Sequence, residues 1–228
     1  MKFEIDAAKF FHVRQAQSHQ TARFNLRGVH VEPRAAGGAF LVATDGRLML
    51  VALDESAIAP APATVNVDLI AADNEPEVDE WGELVERSGT PLTWFHDFRN
   101  ASTIEFYLSE WPAVAKVKWG DHAPPEPLGI ATVTDGKFVD WKKAALKWLA
   151  PGVAGPGAFD PALLDRAAFY GWGVELAAKG HDRPAVIHPH GAADTVGFLM
   201  PMKAADRAGF DVQLAEELVA LKSDEGKT

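Results

Sequence analysis

The 228-residue chain has no cysteine, which removes disulfides, thiolate metal ligands and cysteine nucleophiles together and fits a reducing compartment. It has no run of ~18 uncharged apolar residues, so no membrane-spanning helix is expected. Its first residues, MKFEIDAAKFF, lack the basic region followed by an apolar stretch that marks a secretory leader, so a cytoplasmic location with no membrane partner is expected. Positive charge is scarce: 22 Lys and Arg stand against 32 Asp and Glu, for a net charge of −10. That balance excludes a protein that coats nucleic acid with a uniformly basic surface. It leaves room for a ring that is acidic outside and locally basic inside, since exposed charges are screened beyond about 8 Å. Motifs for chemistry are missing too. There is no H-E-x-x-H, no Gly-rich phosphate loop and no G-x-S-x-G, so no enzyme activity, catalytic residue or cofactor is expected.

What is present is an ordinary folding composition, 47% hydrophobic and 24% charged, enough for one or two domains with a sizeable core. The strand-like FEI leads to Asp6, an N-cap candidate, and Ala7, Phe10 and Phe11 share one face of the helix that follows. Lys9, His12, His19 and Gln20 fall opposite. FNLRGVHVEP alternates, Gly37-Gly38 turns the chain into AFLVATDG, and Asp45-Gly46 turns it again into RLMLVAL, predicting three antiparallel strands. After the Pro/Ala-rich IAPAPAT, further strands are predicted at ATVNVDLI, LTWFHDF, TIEFYL and LGIATVTDGKFVDW. Between the first two, EPEVDEWGELVERSG reads as an acidic helix with Val78, Trp81, Leu84 and Val85 inward.

Beyond LAPGVAGPG lies a third unit. Asp160 is its N-cap, Pro161 its N1 residue, and Leu163, Leu164, Ala167 and Ala168 form the inward stripe. GVELAAKG, PAVIHPHG and TVGFLMPMK follow as strands, and DVQLAEELVALK reads as an amphipathic helix in a charged tail. Strands in hairpin-spaced runs, each introduced by a helix, predict an antiparallel α+β fold of repeated helix-plus-strands units.

Four segments taken in order, RFNLRGVHVE with FLVATDGRLML, DGKFVDWKKAAL, and FDPALLD through GFLMPMK, resemble the bacterial DNA polymerase III beta sliding clamp. The resemblance implies a DNA-clamp-like fold, with residues 1–145 as one clamp-like domain of two units, 157–203 as a C-terminal unit and 204–228 as a helical or frayed tail. It implies a non-catalytic processivity factor for DNA replication or repair, whose partners are polymerases or repair proteins bound through linear peptide motifs. Double-stranded DNA and a homo-oligomeric ring belong to the same picture. By motif, the peptide pocket would be walled by Leu26, Thr44, Gly46, Arg47, Leu48, Val139, Ala144, Phe198, Met200, Pro201 and Met202. Methionines beside a proline and an arginine suit a site that adapts to several ligands, whereas spacing alone reads Leu199 to Met202 as a final core strand.

Positive charge concentrates only at Lys9, His12 and Arg14 and at Lys142, Lys143 and Lys147, the candidate DNA-facing residues. The poorly basic helices favour an alternative, a clamp-derived peptide-binding module that does not encircle DNA. His188 and His190 form an H-x-H on a strand with Asp194 nearby, but a metal site needs a further ligand, and a surface pair is the expectation.

Overall fold

The computed structural model describes residues 1–69, 103–109, 112–120, 122, 124–134, 136–149, 159–168, 173–178 and 183–202. The chain opens with β1 (Lys2–Asp6), α1 (Ala7–Arg14) and a 3-10 segment (Thr21–Leu26). Then come β2 (Val29–Pro33), β3 (Ala39–Thr44), β4 (Leu48–Asp54) and β5 (Ala63–Leu69). β6 (Thr103–Tyr107), β7 (Val114–Lys118) and β8 (Glu126–Val133) precede α2 (Trp141–Leu149) and α3 (Pro161–Ala167), and β9 (Val174–Ala177), β10 (Ala185–Pro189) and β11 (Thr195–Leu199) complete the described chain.

The strands form one 11-stranded sheet in the order β1-β6-β7-β8-β5-β2-β3-β4-β11-β10-β9, with every pairing antiparallel. Two meanders, β2-β3-β4 and β6-β7-β8, meet through β5, and β11 adds the C-terminal strands to β4 with Gly197 opposite Leu50. The β2–β3 hairpin needs glycine at its tip. Gly38 has φ +72°, and a Cβ there would lie 2.4 Å from the Asp54 carbonyl oxygen.

The two-residue side-chain period splits the core into two layers. On one face Leu41, Ala43, Leu48, Leu50 and Ala52 pack with Phe10 and Phe11 of α1 and Leu163 and Ala167 of α3. On the other, Val42, Met49, Val51, Val186 and Phe198 pack with Trp141 and Ala145 of α2. Phe10 meets Phe11 edge-on at 5.6 Å and Phe106 at 5.2 Å, tying α1 to both meanders.

Local signals decide where helices start. The Asp6 carboxylate accepts the Lys9 N–H at 2.8 Å, and the Asp160 carboxylate accepts that of Ala162 at 3.0 Å. The predicted α1 face differs from the observed one: Ala7, Phe10, Phe11, His12 and Val13 are all buried, because β1–β4 and α3 enclose most of its circumference. β7 was not foreseen, and LGIATVTDGKFVDW, expected as one strand, ends as strand at Val133 before α2 begins at Trp141. Among the described residues three helices accompany eleven strands, so the architecture is mostly antiparallel sheet. Helix-plus-strands units are seen in β1-α1-β2-β3-β4 and α3-β9-β10-β11. The acidic helix expected at 75–86, the LTWFHDF strand and the tail from 204 lie outside the described residues.

Candidate functional site

The Thr44–Leu48 turn is held by its own side chains. Thr44 Oγ1 donates to the Leu48 carbonyl at 2.8 Å and accepts the Gly46 N–H at 3.0 Å, while Asp45 Oδ1 accepts the Arg47 and Leu48 N–H groups at 2.8 and 2.9 Å. Gly46 adopts φ +88°, and a Cβ there would meet Arg23 Nη1, which donates to the Asp45 carbonyl. Both ends of α3 grip the turn. Asp160 pairs with Arg47 at 2.7 Å, and Arg166 pairs with the free Asp45 oxygen at 2.8 Å.

Around this turn the second core layer comes to an apolar edge. Met200 N–H donates to the Arg47 carbonyl at 2.8 Å, which seats the end of β11 beside the turn. Asn25 Nδ2 donates to the Lys137 carbonyl at 3.4 Å, bringing the 3-10 segment beside the lead-in to α2. Leu26 and Phe198 are buried below, and Trp148 packs on Phe198 at 5.4 Å. At the surface Phe24 is 58% exposed, Val139 40% and Met200 36%, with Pro201 and Met202 half-buried. Of the expected pocket residues the structure gathers Thr44, Gly46, Arg47, Phe198, Met200, Pro201 and Met202 near the turn; Leu26 shares the core layer of Phe198, while Val139 is exposed just before α2 and Ala144 is half-buried on it. Leu48 is the exception. Its side chain points into the other layer, and Met49 takes the position facing Leu26 and Phe198.

The lead-in to α2 is latched onto β2. Glu32 accepts from Trp141 Nε1 at 2.7 Å and from Lys142 Nζ, and His30 stacks on Phe138 at 4.6 Å. Burial works against the Glu32 charge, but these two donors outweigh it and hold the carboxyl below its ordinary value.

The candidate DNA-facing cations do not form one surface. Lys9 donates to the Leu53 carbonyl and pairs with Asp194; burial opposes its charge, and the Asp194 carboxylate raises it. His12 is fully enclosed, with Nε2 against the Ala167 carbonyl at 2.9 Å, and burial lowers its pKa. Arg14 donates to the Val67 carbonyl at 2.9 Å and is also pushed down by burial. Lys142, Lys143 and Lys147 are exposed, but they sit on α2, across the sheet from α1. His188 lies on β10 and His190 in the turn after it, both exposed. Among the described residues no three His, Cys, Asp or Glu side chains are grouped to hold a metal ion, and no helix is long and apolar enough to cross a membrane.

Phe24, Arg23 and Met49 belong to this region and were not singled out by sequence reasoning, and Arg166 was read only as the one basic residue of its helix. R-F-N-L in a 3-10 segment shows neither the helix nor the strand period, and an arginine in an amphipathic helix reads as a solvated residue.

No family model and no curated protein matches the sequence. Solved structures do. The DNA polymerase sliding clamp of Pseudomonas aeruginosa aligns at a TM-score of 0.53 with 15% identity, over 89% of this chain and 66% of that one. The beta subunit of the DNA polymerase of Streptococcus pyogenes aligns at 0.52 with 12% identity, over 88% and 65%, and the Caulobacter crescentus beta sliding clamp at 0.51 with 14%, over 89% and 66%. The continuous antiparallel sheet with helices laid against it thus defines a clamp-like protein. Its fold is that of the bacterial DNA polymerase beta sliding clamps in a divergent form, and the chain spans just under two thirds of the length of those first-matched structures.

Proposed function

We propose that this chain is a non-catalytic, clamp-like factor of DNA replication or repair that tethers partner proteins by receiving a linear peptide motif at the apolar edge beside the Thr44–Leu48 turn. The observation that carries the reading is the bond from Met200 N–H to the Arg47 carbonyl, which sets an exposed methionine beside a rigid turn and above the buried Phe198. Shallow apolar ground next to a fixed backbone turn suits an extended peptide with one or two large apolar side chains. In this reading residues 1–145 form a clamp-like domain, 157–203 a C-terminal unit and 204–228 a tail, in a cytoplasmic protein whose ring would close through sheet edges such as β9.

A fluorescent synthetic clamp-binding peptide is expected to bind with a Kd in the micromolar range, near −8 kcal/mol. Met200→Ala with Val139→Ala is expected to weaken it by about 1 kcal/mol or more. Full retention of binding by that double variant sinks the assignment of the site.

A second reading, a peptide-binding module that does not encircle DNA, is favoured by one specific observation. Lys9, Arg14 and Arg166, the cations of α1 and α3, are all committed to carbonyls or carboxylates of the chain itself.

A further inference from the structure

We infer that the outer face of α2 is the docking surface for the acidic amphipathic segment 210–221 of this same chain. The helix buries Trp141 and Ala145 and turns Lys142, Lys143, Leu146 and Lys147 outward. At 71% exposure, Leu146 is the most exposed large apolar side chain among the described residues, and it stands among three lysines on a helix with no acid. Lys142 is drawn back to Glu32, whereas Lys143 and Lys147, one turn apart and repelling each other, have no carboxylate partner among the described residues. Such a face fits an acidic helix with an apolar stripe.

The chain supplies one. Residues 203–228 lie outside the described residues, but their sequence places Asp211, Glu216 and Glu217 between 210 and 221 with no Lys or Arg, and spaces Phe210, Leu214, Leu218 and Leu221 as one helical face. The described chain ends at Met202, four residues beyond Phe198, which packs on Trp148 of α2. The eight residues from Met202 to Phe210 (210 − 202) reach up to about 28 Å when extended. The nine-residue α2 is only about 14 Å long, so the tether is long enough. Tethering at an effective concentration of about a millimolar lets even a weak pairing fill the site. The inference uses α2 and the sequence of 210–221, and holds or fails independently of the peptide site proposed above.

Zero-length carbodiimide coupling of the full-length protein, read by mass spectrometry, tests it. The expected product joins Lys143 or Lys147 to Glu216 or Glu217 within one copy. Leu146→Asp, which keeps both lysines, is expected to abolish that link while Lys142–Glu32 and Lys9–Asp194 remain. A charge swap, Lys143→Glu and Lys147→Glu with Glu216→Lys and Glu217→Lys, is expected to restore it in the reverse sense. The inference is overturned if the wild type couples Lys9 to Asp194 but not α2 to residues 211–217. It is equally overturned if mixed 15N-labelled and unlabelled protein shows the link only between copies, which assigns the face to a second molecule.

Discussion

Arg166 Nη1 donates to Asp45 Oδ2 at 2.8 Å, and the same guanidinium reaches back to the Gln15 carbonyl through Nε and Nη2. One side chain on α3 thereby fixes the β3–β4 turn against the end of α1. Both partners are largely shielded, with side chains 28% and 16% exposed. Arg166→Gln strands an acceptor and a carboxylate together, so a loss of about 1.5 to 3 kcal/mol is expected. In urea unfolding this appears as a lower midpoint with an unchanged slope.

The two turns rank differently under the same substitution. At Gly38 a Cβ would meet the Asp54 carbonyl at 2.4 Å, and backbone cannot step aside. At Gly46 it would meet Arg23 Nη1 at 2.8 Å, the far end of a flexible side chain. Both positions have positive φ, which costs an alanine roughly 1 kcal/mol by itself. Gly38→Ala is therefore expected to lower the thermal midpoint clearly more than Gly46→Ala, and equal losses would contradict the steric argument.

The strands that flank tight turns were readable from the sequence because Gly37-Gly38 and Asp45-Gly46 punctuate them, because β2 alternates and because β3 is a short apolar run. α3 was readable because Asp160 and Pro161 announce its start. β7 was not: in V-A-K-V-K, short of aliphatic bulk, the lysines hide a half-buried strand, whose Ala115 and Val117 are buried once β6 and β8 seat it in the sheet against the first core layer. α2 was missed because DGKFVDW echoes DGRL. The first DGR closes a hairpin onto β3, whereas the residues after the second DGK enter a helix capped by Asp140, whose carboxylate accepts the Lys143 N–H. His12 was placed outside because spacing knows only one face of a helix, and α3 covers the other from more than a hundred residues away. The Leu48 side chain was assigned to the peptide site by motif, and the parity of β4 sends it to the other layer.

Acid is expected to weaken the joint between α1 and α3. Burial holds His12 below its ordinary value of 6.5, so between the folded value and 6.5 the unfolded chain binds more protons and stability rises with pH. It is therefore lost as pH falls below 6.5, and His19 and His30, also lowered chiefly by burial, add in the same sense. Asp6, raised by burial, acts oppositely and from lower, upward from 3.8. Denaturation midpoints followed from about pH 7 to about pH 5 should fall, and His12→Gln should flatten the profile whatever its effect on the midpoint at pH 7. An unchanged slope in that variant assigns the dependence elsewhere.

Association with DNA is expected to be weak and to run through α2. The cations of α1 and α3 are engaged inside the protein, and releasing Lys9 from Asp194 or Arg14 from the Val67 carbonyl would leave each of those groups short of a partner. Lys142, Lys143 and Lys147 lie at the surface, so DNA would compete with Glu32 for Lys142 and with residues 210–221 for the other two. Three phosphate contacts give a slope of log K against log salt of about −2.7, at roughly −0.9 per contact. Lys143→Glu with Lys147→Glu is expected to remove most of that slope, whereas Lys9→Ala is expected to leave it in place while lowering stability. Binding to circular or primed DNA with a slope near −8, insensitive to the α2 variants, would show that other cations carry the contact.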